Sequence, residues 1–131
     1  MNAHVEQVLA GLELAAPTPE QLHRLRIEAK RARYTLEVFA GCYEDEVSSR
    51  ALNALSELQE TLGSLNDSTV ALARLDRLQV QVSASAPELW VLLAPGFALL
   101  SDEHRKNQLD RATQYRSQRE AIRDSLGALR T

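Results

Sequence analysis

A chain of 131 residues, 44% hydrophobic and 25% charged, has the size and mix of one globular domain and excludes a disordered or fibrous protein. The single cysteine, Cys42, rules out an internal disulfide and a multi-cysteine metal site, which predicts a cytoplasmic protein. The net charge of −3 speaks against a generally basic nucleic-acid binder, while few glycines and prolines and many Leu, Ala, Glu, Gln and Arg favour helix over strand throughout 1–131.

The first element is a short helix over 3–14, whose Glu6 and Glu13 and lack of a basic start do not fit a signal peptide. Thr18 before Pro19, followed by Glu20 and Gln21, is an N-cap with a favoured first-turn proline. From there Leu22, Leu25, Ala29, Ala32, Leu36 and Phe39 recur every three or four residues, giving a core-facing helix until Gly41. A second run, 47–62, sets Leu52, Leu55, Leu58 and Leu62 on one face and is predicted to stop at Gly63 as a plain packing helix. Asn66 and Asp67 read as N-caps of a third helix, with Val70, Leu72, Ala73, Leu75 and Leu78 on its apolar side, ending in the Ser/Ala stretch 83–86. After Pro87 comes an apolar half-helix, then a predicted break at Pro95-Gly96, then a long polar helix over 97–129. Short connections imply antiparallel neighbours, so the fold class is an all-α antiparallel bundle of about four main helices. The longest uncharged apolar run, 89–101, is too short to span a bilayer, and no membrane span is predicted.

Charge is segregated along the chain. The window 22–34 holds Arg24, Arg26, Lys30, Arg31 and Arg33 against Glu28 alone, a net of +4 in a chain of net −3. At about 100° per residue, His23, Arg26, Lys30 and Arg33 fall within about 80° of one another beside the apolar face, with Arg24 and Arg31 on a separate strip. A merely solvated basic face is the plain alternative, but such a face normally lies opposite the core and alternates in sign. Like charges at these spacings cost a few tenths of a kcal/mol each, which a bound anion offsets, and Glu37 can neutralise only part of the row. Arginine forks, a compact lysine charge and an extra histidine donor together suit phosphate oxygens. Arg116, Arg119 and Arg123 form a second stripe with Arg105 on the last helix, a candidate opposite wall, although Asp102, Glu103, Asp110, Glu120 and Asp124 are interspersed. His4 and His104 read as isolated surface residues, Trp90 and Tyr115 as core.

The pattern His23-x-x-Arg26-x-x-x-Lys30-Arg31-x-Arg33-Tyr34, followed by Leu58-x-x-x-Leu62-Gly63-x-Leu65-Asn66-Asp67-x-x-Val70, resembles the CHAD family, the conserved histidine α-helical domain. The likeness is strongest over 18–80 and in the last helix extends only to general character. It implies a helical-bundle domain that binds inorganic polyphosphate without catalysis and associates with polyphosphate granules. Carried over, the phosphate-binding residues are His23, Arg26, Lys30, Arg31 and Arg33, with Arg24, Arg116, Arg119 and Arg123 as additional anion contacts. Tyr34 is expected to pack or donate its hydroxyl, and Asp67 to cap a helix and orient an arginine. Family members usually have two similar halves, whereas this chain carries one copy of the motif, closer to the C-terminal half. Two copies are therefore expected to associate with their basic helices facing a shared groove, or a missing half-domain to take that place.

Two other functions fit a basic helix. A histidine phosphotransfer domain would place a small residue four positions after its histidine, where this chain has Ile27. Nucleic-acid binding would use the same cations, yet the chain is acidic overall and poor in aromatics for base stacking. No Gly-rich phosphate loop, metal-spaced carboxylate cluster or paired nucleophile and base is present in the sequence, so no enzyme activity, cofactor or metal is predicted.

Overall fold

The computed structural model describes residues 3–130 and consists of four α-helices, α1 (Ala3–Leu12), α2 (Pro19–Phe39), α3 (Asp45–Ser85) and α4 (Pro87–Gly127), with 3-10 turns at Ala40–Cys42 and Ala128–Arg130. The all-α class is as the composition implies, but the helices are divided differently from the sequence reading.

α2 begins where its cap chemistry dictates. The Thr18 hydroxyl accepts from the Gln21 amide at 3.2 Å, and the Thr18 amide donates back to the Gln21 side chain at 2.8 Å, a reciprocal box closed just before Pro19. The helix ends at Phe39, and the 3-10 turn containing Gly41 leads out of it. α1 packs against α2 and is held close at Gly11, where an added Cβ would lie 2.9 Å from the Leu25 side chain.

Two predicted boundaries are absent. Gly63 does not stop a helix and Asn66 and Asp67 do not start one: all three lie inside the continuous α3. A glycine in mid-helix costs about 1 kcal/mol and Asn or Asp less. The side chains on either side find partners on α4, with Thr61 donating to Gln118 at 2.9 Å and Asn107 donating to Ser64 at 3.1 Å. The Pro95-Gly96 break is likewise missing, because α4 runs through both residues. Trp90 and Phe97 pack edge to face at 5.0 Å across the proline and brace the helix on both sides of it.

The chain forms two compact units, one of Met1–Gly63 with Thr113–Thr131 and one of Ser64–Ala112. The first holds the apolar core: Val5, Val8, Leu12, Leu25, Leu36, Leu55, Leu58, Ile122 and Leu126 are all buried, the repeating faces of all four helices. Its ends are tied by a forked ion pair, Arg130 to both Glu6 oxygens at 3.1 and 2.6 Å. The second unit is an antiparallel hairpin turning at Ala86, and its pairs are symmetric about that turn. Asn107 donates to Ser68 at 2.7 Å, Gln108 donates to Thr69 at 3.0 Å, and Ser68 lies 3.3 Å from the His104 ring. His104 is therefore engaged between helices rather than isolated, as is His4, whose Nδ1 lies 2.8 Å from Glu28.

Candidate functional site

The helical repeat of α2 turns Leu25, Ala29, Ala32 and Leu36 into the core and leaves positions 26, 27, 30, 31 and 34 on another side. These five residues, with Gln59 and Gly63 of α3, line an open cavity of ≈ 490 Å³. Three of the lining residues, Arg26, Lys30 and Arg31, are cationic and none is a carboxylate. Among the described residues neither Arg26 nor Lys30 has an ion-pair partner, whereas Arg31 lies 3.3 Å from Glu28. Glu28 also holds His4 through its other oxygen, so this carboxylate steadies Arg31 from outside the cavity.

Tyr34 forms one wall and is 49% exposed. Its ring lies 5.9 Å from the Lys30 ammonium and 5.1 Å from the Arg33 guanidinium, within cation–π range. The sequence reading had Tyr34 packing or donating its hydroxyl; the contacts add a ring face that positions two cations.

The remaining sequence-derived site residues lie elsewhere. His23 is exposed on α2 outside the cavity lining. Arg33 is half-buried, its Nε 3.7 Å from Glu37, and it also lies outside the lining. Arg24 lines a separate cavity of ≈ 220 Å³ with residues of α1. The helical wheel grouped Arg26 and Lys30 with Arg33 and His23, but the cavity groups them with Arg31, because α3 supplies the second wall. On α4, Arg116 donates to Thr113 at 3.2 Å, Arg119 donates to the Leu14 carbonyl at 2.9 Å, and Arg123 sits 3.9 Å from Glu120. None of the three lines the α2 cavity. Asp67 is an exposed interior residue of α3 and not a cap, and among the described residues no arginine pairs with it.

Gln59 was missed by sequence reasoning. It belongs to a helix whose leucine repeat announces packing alone, and only the cavity shows that it lines the same space as the cations. Its Oε1 is buried and has no hydrogen-bond partner among the described residues.

Three cations gathered with no lining carboxylate repel one another, a cost relieved by an anion between them. Two guanidinium forks and an ammonium present several N–H donors to oxygen, which is phosphate chemistry. A family model of the CHAD domain matches residues 1–76. The chain belongs to the CHAD family. Every residue lining the α2 cavity lies within the matched part, whereas α4 lies outside it. CHAD domains are in general binding domains linked to polyphosphate rather than catalysts. No curated protein and no solved structure matches this CHAD chain. Among the described residues no helix is long and apolar enough to cross a membrane, and no group of three or more His, Cys, Asp or Glu could hold a metal ion.

Proposed function

We propose that this CHAD domain binds inorganic polyphosphate, or a similarly phosphate-rich polyanion, at the α2 cavity and does so without turnover. The observation that carries the reading is the lining itself: Arg26, Lys30 and Arg31 around one open space, with no acidic residue in its wall. A repeating phosphate chain gives each cation an equivalent partner, so recognition is multivalent and favours longer chains through effective concentration. His23 and Arg33 extend the same helix beyond the cavity and meet phosphates further along the chain. Arg24, Arg116, Arg119 and Arg123 are peripheral contacts at most, since each already faces another cavity or a partner of its own. A second copy, or a second half-domain, supplies the opposite wall for a long ligand, and the protein works in the cytoplasm at polyphosphate granules.

The test is a titration with polyphosphates of defined length at two salt concentrations, run beside the triple variant Arg26→Ala, Lys30→Ala, Arg31→Ala. By analogy with single-stranded nucleic acids, neutralising about three phosphates weakens affinity roughly 20-fold between about 50 and 200 mM salt. The triple variant keeps its helical spectrum and loses binding. Undiminished binding by that variant would remove the site, and tighter binding of DNA or RNA in competition would replace the ligand class.

A further inference from the structure

The hairpin of residues 64–112 has a surface that its own two helices do not explain. Over 78–101 the sole charged residue is Glu88. Yet among the described residues of 64–112 no apolar side chain is buried. Leu78, Leu89, Leu93 and Leu100 are about half exposed, and Val91, Leu92 and Leu99 are 72%, 77% and 63% exposed. On α4 the half-buried residues Trp90, Ala94, Phe97 and Ser101 repeat every three or four positions and so mark the side turned to α3. At about 100° per residue, Leu92 and Leu99 point roughly 180° away from that side. Such a helix is apolar all round, and a helix of that kind belongs in an interior. Two helices alone cannot make one.

We infer that this hairpin is a self-association surface, on which the same hairpin of a second copy packs across a two-fold axis to close a four-helix bundle. Charge favours this occupant. The patch offers no charged pattern for a different partner to match, whereas an uncharged apolar face is complementary to itself, as a two-fold contact requires. Extent favours it too, because 17 residues of 78–101 are exposed, close to the ~20–30 residues a side found in stable interfaces. Two hairpins supply the four helices that the simplest bundle needs. Among the described residues neither helix of the hairpin carries an apolar stretch long enough to cross the ~30 Å hydrocarbon core of a membrane. The inference stands apart from the ligand reading, since it uses none of the cavity residues.

Light scattering coupled to chromatography on the full chain, without polyphosphate, reads it directly. The expected mass is that of two chains. The double variant Leu92→Glu, Leu99→Glu elutes as one chain with unchanged helical signal, because neither side chain faces α3. Val38→Glu, at a comparably exposed apolar position of the other unit (76%), remains a dimer. Should the glutamates lower the helical signal, Leu92→Ser with Leu99→Ser repeats the test with a smaller perturbation. A one-chain mass for the unaltered protein at high micromolar concentration, an open-ended assembly, or a serine variant that stays dimeric would each overturn the proposal.

Discussion

Gln59 and Tyr115 carry buried polar atoms with no hydrogen-bond partner among the described residues, and they lead to opposite expectations. Gln59 faces the cationic cavity, where its amide can turn a donor toward a phosphate oxygen. Gln59→Leu should weaken polyphosphate binding by roughly 3- to 10-fold, the worth of one hydrogen bond, while leaving stability unchanged or slightly higher. Titration beside a denaturant melt checks both halves of that statement. Tyr115 lies in the core away from the cavity, and burial pushes its hydroxyl above the usual tyrosine range, partly opposed by the Arg119 charge. With the folded value raised, the unfolded chain releases its proton first as pH climbs. Stability is therefore full below the ordinary tyrosine range and is lost as pH rises through the raised value. Tyr115→Phe should flatten that alkaline loss and cost little at neutral pH, as denaturant midpoints measured from about pH 7 to 11 would reveal.

At the scale of elements, caps and breakers had unequal authority. The Thr18 box opens α2 where its residues say it should, because two reciprocal hydrogen bonds satisfy backbone groups that the helix cannot. Gly63 and Pro95 were given the power to end helices and did not use it. A glycine's cost of about 1 kcal/mol is smaller than what a continuous helix recovers by pairing with its neighbour. Pro95 is a sterner case, since it removes a backbone donor and crowds the carbonyl one turn back, at about 3 kcal/mol. It is exposed, and α4 stays helical around it, with Trp90 and Phe97 in contact across the site. Pro95→Ala should accordingly stabilise the hairpin by about 1 to 3 kcal/mol, read as slower amide exchange on both sides of residue 95. No change in exchange would mean that the helix already relaxes the proline's strain elsewhere.

For the whole molecule, apolar burial is uneven. The first unit holds every buried hydrophobic side chain among the described residues, and the hairpin holds none. Truncating Leu58, which is fully buried in the first unit, removes transfer energy and leaves a void. Leu58→Ala should cost about 2 to 5 kcal/mol, and thermal or denaturant unfolding measures it. A loss below about 1 kcal/mol would mean that the core collapses around the gap. The basic cavity sits on this well-packed unit, so its cations are held by a scaffold with a core of its own.

The all-α class, the start of α2, the core faces of the helices and the cationic character of 22–34 were legible in the sequence, because each is set by neighbours within one or two turns. The His23 to Tyr34 pattern also pointed to the CHAD family before any coordinates. Which cations share a space was not legible. That depends on where α3 passes α2, and a helical wheel contains no second helix; hence Arg31, on a separate strip of the wheel, shares the cavity with Arg26 and Lys30 while Arg33 lies outside its lining, and Gln59 went unseen. The lengths of α3 and α4 were decided in the same way, by partners 43 and 57 residues distant, Ser64 with Asn107 and Thr61 with Gln118, that outweigh the local preference of Gly63 to end a helix. Local chemistry proposes the elements and their charges; only the packed chain decides which proposals survive, because the interactions that settle them are made across sequence distance.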